Sequence, residues 1–309
     1  MAYARTSRRR TYRKRPTTRR PRKISYRKRP RTRRPTRRAM RPTKRTILNV
    51  SSKKKRDTMV TTTNVSPTTP VGGTTYAGGP AIFGAAGVTD GHCFVFVPTA
   101  RDFTRDLAGV TGFPSDVATR TATTCYMRGV SEKIEVQVAD GVPWQWRRIC
   151  FTMKGTDVLL PTTPSFSPFL ETSSGFTRVI NQPGSTTRAN LEALLFKGGR
   201  NSDWSSVITA PIDTARVTPR YDKTITIASG NDSGVIRKYS RWHPMNKNLV
   251  YDDDESGGTE QAPGSKFSVV SKPGMGDYII VDYFVPRYGA VLANQMTLSI
   301  GASLYWHER

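Results

Sequence analysis

Apolar and polar residues alternate with a period of two along several stretches of this chain, the spacing of a strand that buries one face. The clearest stretch is 130–138. Val130, Ile134, Val136 and Val138 fall on one side, Ser131, Lys133, Glu135 and Gln137 on the other, and Glu132 is the one exception. Near the end of the chain, Met296, Leu298, Ile300, Leu304 and Trp306 alternate with Thr297, Ser299, Ser303 and Tyr305. Ile149, Phe151 and Met153 repeat the pattern, as do Ile225 and Ile227 against Thr224 and Thr226. Two runs, 93–97 and 278–285, are apolar on both sides, which predicts strands covered on both faces. Weaker strands are predicted at 176–180, 215–220 and 235–242.

Only residues 190–196 read as a helix, and a short one. Gly/Pro-rich connections of unequal length join about eight strands, a pattern that predicts an all-β sandwich or jelly roll. Residues 61–91, with Gly72, Gly73, Gly78 and Gly79 among threonines and prolines, read as a linker or an irregular surface segment. The apolar run 278–285 is too short to span a bilayer and carries Asp282. The N-terminus has positive charge but no apolar core, so no secretory leader is expected.

Charge changes the picture most. The 309 residues carry a formal net charge of +26. Residues 1–56 hold 26 of the 49 Lys and Arg and no acid, so residues 57–309 are formally neutral. The arm contains Arg8, Arg9, Arg10, Arg13, Lys14, Arg15, Arg19, Arg20, Arg27, Lys28, Arg29, Arg33, Arg34, Arg37, Arg38, Lys53, Lys54, Lys55 and Arg56. Like charges at this density repel and bury no core, and five prolines between 16 and 42 break any helix. The arm therefore reads as disordered until bound, with an r.m.s. reach of about 40 Å. Arg-rich segments neutralise phosphates, and the planar guanidinium suits them. Tyr12 and Tyr26 are placed to stack on unpaired bases. The clusters at 27–29 and 53–56 also fit a nuclear localisation signal read by a host import receptor. Ile47, Leu48 and Val50 form an apolar island where the arm would begin to pack against the body.

Signals for catalysis and for cofactors are missing. Gly198 and Gly199 follow Lys197 in the wrong order for a phosphate loop. His92, His243 and His307 are widely separated, and no Cys/His spacing suits zinc. The pair His92–Cys93 reads as a buried strand start, since neighbouring strand residues point to opposite faces. Cys93, Cys125 and Cys150 give no disulfide framework. The cluster Asp252, Asp253, Asp254, Glu255 reads as a solvated loop tip ahead of a cation site or a salt-bridge patch at a subunit contact, because Ca²⁺ needs about 6–8 converging oxygens. Trp144, Trp146, Arg147 and Arg148 form an aromatic–basic knot. Base stacking on an inner surface is one reading, and core or interface packing is the other and the preferred one. Arg237, Lys238, Arg241 and Trp242 pose the same question.

Several segments resemble one family. MAYAR at the start, the Arg/Pro/Thr arm, ILNVSSKKKRDTM at 47–59, KYSRWHPMNKNLVYDDDE at 238–255 and SLYWHER at 303–309 are similar to coat proteins of the genomoviruses, the gemycircularvirus group. The 47–59 segment is the most specific. The resemblance implies one eight-stranded jelly-roll domain over 57–309 and a small icosahedral T=1 shell. It also implies a circular single-stranded DNA genome and assembly in a host nucleus, with no membrane partner and no catalytic residue. A shell of about 60 copies would carry about 1,560 arm charges, which balance a strand of roughly 1,500–3,000 nucleotides. The competing expectations are a basic-tailed binding protein of chromatin or ribosomal type, and a nucleic-acid-processing enzyme, which the missing metal and nucleotide motifs disfavour.

Overall fold

The alternating stretches become strands. The computed structural model describes residues 43–85, 90–105, 107, 109–257, 259–260 and 264–309. Its elements, in chain order, are α1 (Lys44–Ser51), β1 (Lys53–Met59), β2 (Thr61–Thr63), β3 (Ala77–Gly78), β4 (Ala81–Gly84), β5 (His92–Phe96), β6 (Thr124–Val138) and β7 (Trp144–Met153). There follow α2 (Thr156–Leu159), β8 (Leu170–Thr172), β9 (Gly175–Ile180), α3 (Ser185–Leu195), β10 (Thr218–Ile227) and β11 (Val235–Val250). The chain closes with β12 (Glu255–Ser256), β13 (Thr259–Glu260), β14 (Asp277–Pro286) and β15 (Gln295–Glu308). With 47% strand against 8% helix, the protein is all-β.

Two antiparallel sheets dominate. The first runs β1-β15-β6-β11, with β4 pairing beside β1 on β15, and the second runs β10-β7-β14-β5. They pack face to face, as their burial patterns require. On β6 the inward positions Ile134, Val136 and Val138 meet Trp144 and Trp146 of β7 and Phe284 of β14, while Val130 belongs to the group below. Below them Cys125, Met127, Leu304 and Trp306 meet Phe96, Cys150, Tyr278 and Ile280. Each fully buried side chain of this size stabilises the fold by about 1.5–3 kcal/mol. The reverse face of the second sheet is also buried. Val95, Ile149, Phe151, Ile279 and Val281 pack against Leu191 and Leu195 of α3 and against the chain from 160 to 217. That third layer is why β5 and β14 are apolar on both sides. Among the described residues, the reverse face of the first sheet has no such cover.

The sandwich is closed at one edge and open at the other. A small sheet, β3-β2-β9-β8, with β2 and β9 parallel, lies against β1 and β5. At the opposite edge β10 and β11 expose much of both faces.

Some expectations need correction. Fifteen strands are present among the described residues where about eight were expected, and the seven outside the two main paths are only two to six residues long. Residues 61–91 are not a plain linker. Ala81 and Phe83 of β4 are fully buried, and Thr61 donates its hydroxyl to the Ile300 carbonyl at 2.9 Å. The segment is Thr- and Gly-rich, so its hydrogen bonds carry order that hydrophobic periodicity does not show. The strand expected at 215–220 belongs to β10, which begins at Thr218 and runs on through 225–227.

Candidate nucleic-acid interface

The arm residues from Arg8 to Arg38, with Tyr12 and Tyr26, lie outside the described residues. The arm's last part is described, and it is folded. The apolar island forms α1, whose Ile47 and Val50 remain exposed. Residues 53–56, expected in a disordered arm, form β1 instead. The strand pairs with β15 from Lys53↔Glu308 to Met59↔Ala302. Its pattern follows the sheet: Lys55, Asp57 and Met59 point inward, Lys54, Arg56 and Thr58 outward. A run of cations read as one cluster is thus split by the pleat.

Lys55 is the consequence. It is 4% exposed, lies 3.0 Å from the Glu308 carboxylate, and donates to the Thr119 carbonyl at 2.6 Å and the Thr121 hydroxyl at 2.9 Å. Its charge is consumed internally, so it is withdrawn from the set of nucleic-acid contacts. Burial pushes the Glu308 carboxyl up, but bonds from Thr121, Trp306 and Lys55 outweigh it and leave its pKa below the usual range. Lys54 and Arg56 lie on the outer face, opposite His307 and Tyr305, where Arg56 donates to the Thr58 hydroxyl at 3.2 Å.

Arg128 extends this row of cations. It sits at a bulge in β6, where the pairing with β15 slips between Tyr305 and Trp306, and it donates to the Asn246 side chain at 2.7 Å. The positive field registers on His307. Its pKa is lowered first by partial burial, then by Arg128 and Lys54. A phosphate arriving here would meet uncompensated cations.

The first aromatic–basic knot is not on any surface. Trp144 is 0% exposed, Trp146 2%, Arg147 5% and Arg148 2%. The pleat separates them: Trp144, Trp146 and Arg148 point between the sheets, while Arg147 points the other way. There Arg147 pairs with Asp222 at 2.7 Å and donates to the carbonyls of Val207 and Ala210. An inner-surface stacking role for these four residues is therefore withdrawn.

Between the sheets Arg148 joins a buried ionic group. Its guanidinium grips Asp282 at 2.7 and 2.8 Å and also bonds Glu132. Arg178 of β9 donates to Glu132 at 2.8 Å and lies 3.5 Å from Asp282. Two carboxylates and two guanidiniums balance, all four side chains being 0–2% exposed. Burial pushes the Glu132 carboxyl up, yet Arg148 and Arg178 together hold it down at about 2.

The second knot divides differently. Arg237 and Arg241 pair opposite the inward residues Val136 and Glu132, whereas Lys238 and Trp242 pair opposite the outward Glu135 and Ser131. Trp242 is 49% exposed. Sequence reasoning grouped Trp242 with its neighbours and passed over Tyr126 and Tyr305, which share its face. The signal was available: all three fall on the polar side of alternating strands.

The other candidates are structural. Cys93, Cys125 and Cys150 are unpaired and buried. Burial pushes the Cys93 thiol to about 12 and raises the other two further. His92 bonds the Gly84 carbonyl at 2.9 Å and Gln182 at 3.2 Å. Of the acidic cluster, Asp253 is not a solvated tip. Its side chain is 2% exposed and clamps Arg120 through two bonds of 2.7 and 2.9 Å. The Arg120 guanidinium lies between the rings of Phe103 and Tyr251, at 4.0 and 3.9 Å. No group of three or more His, Cys, Asp or Glu side chains that could hold a metal is found among the described residues. No described helix is long and apolar enough to cross a membrane.

In comparisons with protein-family models and with curated proteins, nothing matches this chain.

Proposed function

We propose that this chain is the coat protein of a small single-stranded DNA virus of the genomovirus kind. In this reading it assembles into an icosahedral shell and packages the genome through its basic arm. The observation that carries the proposal is the junction of two unlike parts: 26 cations without an acid up to residue 56, then a formally neutral two-sheet sandwich. The finer fold assignment, a jelly roll, is supported by connectivity. Taken alone in chain order, the eight strands of the main paths run first-eighth-third-sixth in one sheet and fifth-fourth-seventh-second in the other. That is the order of a wrapped hairpin folded as two Greek keys, a fold common in capsids.

The mechanism follows from electrostatics. Arms bind phosphate without regard to sequence, releasing counterions and concentrating the bodies on one strand. Neutralisation removes the repulsion between arms, and the neutral bodies then pack. An import receptor would read the basic clusters before residue 43, because Lys55 holds 53–56 in the sheet. The reading includes no catalytic step, no cofactor and no membrane partner.

Electron microscopy of the purified full-length protein, with nuclease-protected nucleic acid extracted and sized, tests this. The expected result is uniform particles holding single-stranded DNA of roughly 1,500–3,000 nucleotides. Deleting residues 1–42 leaves every described element in place, so the body should fold as before while packaging is lost. Full-length DNA inside shells of the deleted protein would remove the arm from the mechanism. Stable monomers that merely coat added DNA would point to a basic-tailed binding protein instead.

A further inference from the structure

The outer face of the first sheet, which no layer of described residues covers, has a composition that a plain solvent face does not need. Trp242 on β11, Tyr305 on β15 and Tyr126 on β6 all point outward from adjacent strands. The Trp242 indole is held in place from behind. It packs across Gly129, where an added Cβ would lie 2.8 Å from the ring, and it meets Tyr305 edge-on with centroids 5.8 Å apart. Gly129 has a φ of +149°, so both its backbone and its missing side chain make room for the indole. The ring is therefore ordered before any ligand arrives, and little further side-chain entropy is lost on binding. Around it stand Arg56, Arg128 and Lys133, while the one acid among the described outward strand positions of this sheet, Glu135, is already paired with Lys238 at 3.1 Å.

We infer that this face is a second nucleic-acid site: unpaired bases stack on Trp242 and Tyr305 while their phosphates follow Arg56, Arg128 and Lys133. The inference rests on the packaging reading for its cargo and assigns to the body a contact that the arm cannot make. Stacking needs an open base face. In a duplex each base is covered by its neighbours, so a broad aromatic sheet surface meets only backbone and groove edges. The division of labour is then physical: the arm neutralises any phosphate chain, and the sheet selects single strands. Continuity supports the assignment, since Lys54 and Arg56 on β1 carry the arm's charge directly onto this face.

Tryptophan fluorescence isolates the site in the full chain. Of the five tryptophans, Trp144, Trp146, Trp204 and Trp306 are 0%, 2%, 7% and 1% exposed, so Trp242 dominates the quenchable signal. The protein is titrated with oligodeoxythymidine of about 20 nucleotides, with duplex DNA of equal phosphate content, and with inorganic polyphosphate, in about 0.5 M salt to suppress the arm's contribution. Quenching by the single strand alone is expected. Trp242→Leu should abolish it and weaken single-strand binding about tenfold, with duplex binding unchanged, and Trp242→Phe should recover part of the loss. Equal quenching by duplex or polyphosphate would overturn the inference, as would unchanged single-strand affinity in Trp242→Leu. So would quenching that grows with protein concentration without nucleic acid, which would make a second copy the occupant. The two readings fail separately. Trp242→Leu particles that package normally, beside an unaltered protein without strand-selective quenching, remove only the stacking site. Failure of the unaltered protein to package removes the shell reading, and the quenching result still decides this one.

Discussion

Glu132→Ala should cost about 3–5 kcal/mol of stability. Glu132 is fully buried and takes bonds from both Arg148 and Arg178. Removing it leaves two guanidiniums facing Asp282 alone, with one positive charge uncompensated between the sheets. Water cannot reach the site to screen it, and Arg does not shed its proton to escape. The cost is therefore that of an orphaned charge more than of a lost attraction. This distinction has a measurable consequence. In Glu132→Leu with Arg178→Leu, Arg148 keeps its two bonds to Asp282, and the charge balances again. The double variant should lose about 2 kcal/mol less than the sum of the singles. Urea unfolding of unassembled protein, followed by circular dichroism, gives all the terms. Strict additivity would show that the four groups do not act as one unit.

That ionic group shows what the sequence made legible and where it stopped. Strand positions were readable because one buried face enforces a period of two, and the double-sided runs at β5 and β14 correctly announced a layer on each side. Glu132 stood out as the one break in the best alternating strand, and Asp282 as a charge inside an apolar run. Their meaning did not stand out, because the partners lie on β7 and β9, and sequence distance carries no information on which strands face each other. Arg147 and Arg148 looked alike as neighbours, yet the pleat sends one to Asp222 and the other to Asp282. Lys55 was hidden for the same reason: a charge run masks an inward position unless its partner, Glu308, is known. The stacking face was half visible, since Trp242 and Tyr305 sit on polar sides of alternating strands, but their adjacency depends on β11 and β15 flanking β6. Short strands within residues 61–85 went unread because threonine hydroxyls contribute to tying the segment down.

Acid should find two opposed titrations in this body, and removing either should expose the other. His243 is 2% exposed, with Nε2 3.9 Å from the Glu132 carboxylate and without a hydrogen bond. Burial lowers its pKa from 6.5 to about 4. Arg148 and Arg241 assist, and Glu132 and Asp282 resist. The unfolded chain therefore binds this proton first as pH falls through 6.5. The stability it represents, about 3 kcal/mol, is lost progressively down to about pH 4. Asp277 works in the other sense. Burial raises it from 3.8 to about 6, against donors from Ser268, Thr156 and Thr99. Its folded form takes up a proton near pH 6, before the unfolded form does, so stability increases by about 3 kcal/mol as pH falls to 3.8. The two nearly cancel between pH 6.5 and 4. The unaltered protein should keep an almost constant urea midpoint across that window. It should then weaken steeply below about pH 4, where Glu132, ordinarily 4.5 but held at about 2, begins to gain its proton in the unfolded chain first. His243→Gln should become more stable on acidification from pH 7 to 4, and Asp277→Asn less stable, each by about 3 kcal/mol. Parallel pH profiles for the three proteins would mean that neither group titrates out of its ordinary range, and that the space around Glu132 admits water in the folded body.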